Sequence, residues 1–194
     1  MSIQTRRERE RAERERLIVT AARELAETEG WDAVTTRRLA AEIEYSQPVL
    51  YSHFKGKVAI MAAVAVEGCA ELAAELRRAR AGARGAREEL AAVGETYTAF
   101  ARLRPALYDA MFTHGVDLPF ATPEAPAPLH EAFGELRAAV EPIAAEGDDV
   151  GLLTETYWAS LHGLVTLMRS GRLPEEAHAA RLALLTDHFT AGAA

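Results

Sequence analysis

Thr35-Thr-Arg-Arg-Leu-Ala-Ala-Glu-Ile-Glu-Tyr-Ser-Gln-Pro-Val-Leu-Tyr-Ser-His-Phe54 carries two short helical patterns separated by a tight turn. Thr35 or Thr36 can N-cap the first, with Leu39, Ala40 and Ile43 as its inner face. Ser46 can cap the second, whose first turn holds Gln47 and Pro48, where a residue without an N–H is tolerated. Trp31, Val34, Leu39, Ile43, Val49, Leu50 and Phe54 supply a small core able to hold both helices at a fixed angle. Such an arrangement is a helix-turn-helix, which lays its second helix in the DNA major groove while the first crosses the backbone.

Upstream, Leu17, Ile18, Ala21, Ala22 and Leu25 recur at three- and four-residue spacing, and Gly30 follows as a stop, so a helix is expected from about Glu10 to Glu29. Before it, Arg6-Arg-Glu-Arg-Glu-Arg-Ala-Glu-Arg-Glu-Arg16 alternates in sign, with four-apart pairs such as Glu10 with Arg14. This segment either extends the helix or forms a solvated arm whose arginines can touch phosphates or enter a minor groove. Downstream, helical patterning runs from Val58 to about Arg80, breaks at Gly82-Ala-Arg-Gly85, and resumes from Arg87 to about Leu103. Pro105 opens a short segment through His114, and residues 115–128, with four prolines, are a loop. Further helices are expected at about Leu129–Ala145 and Leu152–Ser170, and after Gly171-Arg-Leu-Pro174 as far as Phe189. No segment sustains period-two alternation and no internal repeat occurs, so an all-α chain is expected.

The 194 residues are 49% hydrophobic and 26% charged, with a mean hydropathy of -0.09, which suits a globular protein. The longest apolar run, Ala59 to Val66, is far short of the roughly 18 to 20 residues needed to span a bilayer. With no secretory pattern at the N-terminus either, a cytoplasmic location is expected. Cys69 is the only cysteine, which excludes an intrachain disulfide and a multi-cysteine zinc site; a buried helical position suits it. The net charge of -7 is unevenly placed. Residues 1–60 carry 11 Lys+Arg and 10 Asp+Glu, which leaves 11 and 19 for the remainder. The acidity therefore sits outside the motif, and DNA affinity has to come from a few placed cations.

Residues 10–60 resemble the DNA-binding domain of TetR/AcrR family transcriptional regulators. The strings Tyr97-Thr-Ala-Phe-Ala-Arg-Leu-Arg-Pro-Ala-Leu-Tyr-Asp-Ala-Met-Phe112 and Tyr157-Trp-Ala-Ser-Leu-His-Gly-Leu-Val-Thr-Leu167 resemble the regulatory domain of the subgroup named for a Trp-His-Gly motif, here Trp158, His162 and Gly163. The resemblance implies about nine helices. An N-terminal DNA-binding domain would span residues 1–56 and an effector-binding and dimerisation domain 57–194. It further implies a homodimer through the last two helices, a DNA operator as partner, and a small-molecule effector whose binding changes the separation of the two reading heads and lowers operator affinity. Members commonly have glycine where this chain has Glu44, and a left-handed non-glycine residue there costs roughly 1 kcal/mol.

On that frame Gln47 can bond a base edge, Thr36 a phosphate or base, and Pro48 and Val49 a thymine methyl. One of Arg37 and Arg38 is expected to meet DNA. Tyr51, His53 and Lys57 resemble the family positions that hold phosphates. Tyr97, Phe100, Leu107, Tyr108, Met111 and Phe112 form an apolar-aromatic stripe that can either line an effector pocket or serve as core. Trp158 and His162 lie four apart on one helical face, and Gly163 permits close helix approach. The stripe favours a largely apolar effector, although Arg102, Arg104 and Asp109 can select a charged one.

The six histidines show no metal-ligand spacing, and no phosphate-binding or dinucleotide glycine motif is present, so neither metal nor cofactor is expected. The leading expectation is a non-enzymatic, ligand-responsive repressor on a palindromic operator. Its competitors are an architectural or effector-independent DNA binder and a helical enzyme working around His114 or His162.

Overall fold

The computed structural model describes residues 3–116, 118–120 and 122–191, with nine α-helices and no strand among them. They are α1 (Ile3–Glu29), α2 (Thr36–Glu42), α3 (Gln47–His53), α4 (Lys57–Ala81), α5 (Ala86–Leu103), α6 (Pro105–Phe112), α7 (Ala127–Val140), α8 (Val150–Arg169) and α9 (His178–Thr190). Two compact units divide the chain, one of residues 1–68 with 104–126, the other of 69–103 with 127–194. The division expected at 56/57 is one of function; packing draws its line inside α4 and assigns α6 to the first unit.

In the first unit α1 begins at Ile3, well before Glu10, so the charged run is helical and not an irregular arm. Four-apart pairs, Arg6 with Glu10 and Arg11 with Glu15, each at 2.8 Å, support it along its surface. Ile18, Val19, Ala22, Leu25 and Ala26 are buried on one face of α1, whereas Leu17, expected on that face, is exposed. Gly30 ends the helix at φ 83, a conformation that glycine adopts without strain. The chain then tucks Trp31 inside, where its indole N–H donates to the Ala106 carbonyl at 2.7 Å. The Glu27 carboxylate meanwhile accepts from the amides of Ala106 (3.1 Å) and Leu107 (2.9 Å). Pro105 has no N–H, so these are the first free donors of α6, and a carboxylate at that end also suits the helix dipole.

The Thr35 hydroxyl caps α2 by accepting from the Arg38 amide at 3.2 Å. Beyond Ile43 the chain closes a two-bond reversal, Glu44 N–H to Ala41 O (3.3 Å) and Tyr45 N–H to Ala40 O (2.8 Å). That reversal needs a left-handed residue, and Glu44 supplies it at φ 57, the one non-glycine with positive φ among the described residues. The expected glycine-like turn is therefore made without glycine. Leu39 and Leu50 are fully buried between the motif helices, worth roughly 1.5–3 kcal/mol each. Of the other core candidates Trp31 and Val34 are buried and Ile43 and Phe54 half-buried, but Val49 is 38% exposed, so it belongs to the surface.

In the second unit Gly94 brings α5 against α8. A Cβ there would sit 2.7 Å from the Tyr157 hydroxyl, which donates to the Leu90 carbonyl at 2.7 Å. A largely buried carboxylate, Glu135 of α7, accepts from Arg77 and Arg80 of α4 at 2.7 Å each. Cys69 is buried as expected, and burial pushes its thiol up to about 12. Two helix limits moved because of proline. Pro128 lies inside the first turn of α7, where its missing N–H costs nothing, and Pro142 ends that helix near Val140.

Candidate functional site

α3 is seven residues long and buries only Leu50. Leu50 anchors the helix and His53 is half-buried, while residues 47–49, 51 and 52 are exposed. Gln47, Pro48 and Val49 are exposed on its first turns, and Tyr51 is 53% exposed. The Tyr51 hydroxyl stands 3.3 Å from the Thr36 hydroxyl, which joins the start of α2 to the outer face of α3. Thr36 and Tyr51 thus form one polar edge, and Gln47, Pro48 and Val49 add an amide and two apolar surfaces beside it. An amide can bond a base edge bidentately and an apolar surface can contact a thymine methyl, so this face has the chemistry of direct base recognition.

The cations around this face differ in how free they are. Arg38 is bound through both terminal nitrogens to Glu29, at 2.7 and 2.5 Å, so its guanidinium is committed to α1. That pairing raises Arg38 and holds Glu29 below the usual carboxylate range, the hydrogen bond between them being the main cause. Arg37, exposed and without an ion pair among the described residues, is the arginine of the two that remains open. The sequence offered no signal for this choice, because the Glu29–Arg38 pair spans a loop. His53 has its Nδ1 3.3 Å from Glu15 of α1, and its side chain is only 6% exposed. The Lys57 ammonium donates to the Trp31 carbonyl. An ammonium has three donors, so two are left for a phosphate.

The residues expected around an effector fall in both units. In the first, Tyr108 and Met111 are buried, and Tyr108 packs edge-on against half-buried Phe112 with centroids 4.9 Å apart. In the second, Tyr97 and Phe100 are fully buried, and the Trp158 indole N–H donates to the Tyr97 oxygen at 2.9 Å. His162 is half-buried, and loss of solvent, then Arg169, holds it below its ordinary value. An open hollow of about 310 Å³ lies between α5 and α9, lined by Arg87, Ala91, Glu95, Ala179, Leu182 and Thr186 among others; Tyr97, Phe100, Trp158 and His162 are not in its lining.

His178 was not singled out in the sequence. The Thr98 hydroxyl lies 3.0 Å from the Gly94 carbonyl and 2.9 Å from His178 Nε2, and the buried Nδ1 has no partner. Burial first, then Arg181 and Arg102, holds His178 below its ordinary value.

Among the described residues no helix is long and apolar enough to cross a membrane, and no cluster of three or more His, Cys, Asp or Glu is arranged to hold a metal. Residues 18–64 match the family model of bacterial regulatory proteins, tetR family, and residues 90–189 match that of the tetracyclin repressor-like C-terminal domain. An uncharacterised HTH-type transcriptional regulator of Mycobacterium tuberculosis is 27% identical over 154 residues, 79% of this chain and 69% of that protein. A solved protein of unknown function from Rhodococcus sp. RHA1 superposes with a TM-score of 0.77 at 26% identity, over 93% of this chain and 95% of its own. The transcriptional regulator FadR from Bacillus subtilis, solved in complex with stearoyl-CoA, has the same fold, with a TM-score of 0.66 at 17% identity over 91% of this chain and 97% of its own. The two models together span the exposed motif face and more than half of the chain, and on that basis this chain belongs to the TetR family of transcriptional regulators.

Proposed function

We propose that the protein is a ligand-responsive repressor that binds a palindromic operator as a homodimer in the cytoplasm, with residues 1–56 as reading head and 57–194 for effector binding and dimerisation. The observation that carries the DNA half is the exposed face of α3 with its Thr36–Tyr51 edge. Gln47 reads a base edge, Pro48 and Val49 make apolar contacts, and Thr36, Arg37 and Tyr51 meet the backbone. Lys57 gives a phosphate its two remaining donors. His53, held by Glu15, orients the end of α3 and contacts phosphate at most with its second nitrogen.

The homodimer is supported by α8. Thr154, Tyr157, Leu161 and Val165 are buried on one side of it. On the opposite side Leu152, Thr156, Ala159, Thr166 and Leu167 are exposed, with Glu155 the one charge beside them. Gly163 lies among them, and a Cβ there would meet nothing within the chain. A glycine that makes room for no neighbour in its own chain suits close approach by a second copy. The exposed Leu184 puts an apolar side chain on α9 as well.

A largely apolar effector is supported by the aromatic character of Tyr97, Phe100, Tyr108, Met111, Phe112, Trp158 and His162, and by the acyl ligand of the like-folded FadR. Membership of the Trp-His-Gly subgroup rests on Trp158, His162 and Gly163. The full burial of Tyr97 and Phe100 favours a second reading, an effector-independent DNA binder whose regulatory interior is filled by its own side chains. Fluorescence anisotropy on an operator duplex tests both halves. Gln47→Ala is expected to change sequence preference by about 1–3 kcal/mol at one position of each half-site, and Lys57→Ala to weaken all duplexes and lower the salt slope by about 1.8, one phosphate contact from each subunit. Unaltered preference and slope in both variants remove the DNA assignments. Operator release on adding an apolar ligand supports the repressor, and persistent binding through a broad screen supports the second reading.

A further inference from the structure

We infer that the first half of α1 is a second DNA contact, an arginine stripe that takes the phosphate backbone beside the bases read by α3; this rests on the DNA-binding reading above. From Gln4 onward the first buried side chain of α1 is Ile18, so roughly four turns of helix stand without a core of their own. Short helices without packing are marginal in water, and this one is reinforced by the Arg6–Glu10 and Arg11–Glu15 pairs.

The stripe's direction follows from the helical period. Arg7, Arg11 and Arg14 continue, in steps of four and three, the row Ile18, Ala22 and Leu25 that is buried against the rest of the head. They therefore overhang on the buried side of α1, next to the position from which Glu15 reaches His53 of α3. The 3.3 Å approach of His53 to Glu15 puts the end of α3 one residue from Arg14. At about 1.5 Å per residue, Arg7 stands roughly 12 Å beyond Glu15, the length of three or four base-pair steps of about 3.4 Å.

The charge suits an anionic surface. Residues 4–16 hold six arginines and four glutamates. Two of those glutamates, Glu10 and Glu15, are held by Arg6 and Arg11, while Arg7 and Arg14 make no ion pair among the described residues. An unpaired guanidinium fits a phosphate bidentately and carries no base preference, so the stripe adds affinity and leaves sequence choice to α3.

The test is a salt titration of operator binding by the full chain, wild type against the double variant Arg7→Ala/Arg14→Ala. Alanine keeps the helix, so circular dichroism and melting are expected to be unchanged. Loss of two phosphate contacts from each subunit, four per homodimer, lowers the log–log salt slope by about 3.6, so the variant loses roughly 100-fold less affinity than wild type between 50 and 200 mM salt. Lysine at both positions is expected to restore the slope, and a duplex trimmed by four base pairs at each end to abolish the difference. A slope equal to wild type overturns the stripe, and so does a difference that survives trimming. Should alanine disturb the melt, glutamine at both positions replaces it. Wild-type protein that binds no duplex at all removes the DNA reading itself, a separate failure.

Discussion

α3 and α8 each bury one side and expose the other, but what they expose differs in kind. α3 shows an amide, a hydroxyl edge and two apolar surfaces within seven residues, a set of dissimilar groups suited to a surface that also varies from position to position. α8 shows mostly small and apolar side chains from Leu152 to Leu167, with Gly163 among them and Glu155 at the edge. Such a face gains most from a copy of itself, because a two-fold interface needs only self-complementary shape. Chemical variety on an exposed helix thus points to reading, and uniformity to assembly.

The largest effect is expected at the uniform face. Gly163→Arg puts a charged side chain into space empty within the chain, so the monomer folds while dimers in analytical ultracentrifugation disappear and palindrome affinity falls at least about 100-fold through lost bivalency. A variant that remains dimeric breaks the contrast drawn above. Gly94→Ala sharpens it, because this glycine serves an approach within one chain. Its Cβ would meet the Tyr157 hydroxyl at 2.7 Å, and a loss of about 1–3 kcal/mol in denaturant melts is expected, with dimerisation intact. At the motif turn, Glu44→Gly relieves the left-handed strain and is expected to stabilise the head by up to about 1 kcal/mol without altering sequence preference.

The smallest effect is in the pH dependence. His162 and His178 are both held below their ordinary values by burial, so the unfolded chain binds more protons than the folded one at mildly acidic pH. Stability is therefore full above the unfolded value of about 6.5 and declines as pH falls through that value toward the folded ones. His178→Gln is expected to flatten this decline in thermal melts between pH 7 and 5. An unchanged decline would place its origin elsewhere.

The order of helices and the motif were legible because they depend on local signals, such as the N-cap positions Thr35 and Ser46, of which Thr35 alone bonds through its side chain, and the glycine stop at Gly30. The left-handed turn at Glu44 was located through the resemblance, since members commonly have glycine there. What sequence could not supply were contacts between distant segments. Arg38 reaching Glu29, Lys57 reaching the Trp31 carbonyl and Glu27 capping α6 each changed which charges are free, and none leaves a periodic trace. Burial was harder still for the aromatic stripe. Tyr97 and Phe100 have the same spacing whether they wall a pocket or fill a core, and the structure finds them packed inside.

The most direct measurement is selection of duplexes from a random pool by the full-length protein, followed by sequencing of the enriched population. An inverted repeat with two half-sites about one helical turn apart is the expected result, since the proposed homodimer would present two α3 helices related by a two-fold axis. Failure to enrich any sequence at low salt, or enrichment of a lone half-site by a monomer, would contradict it.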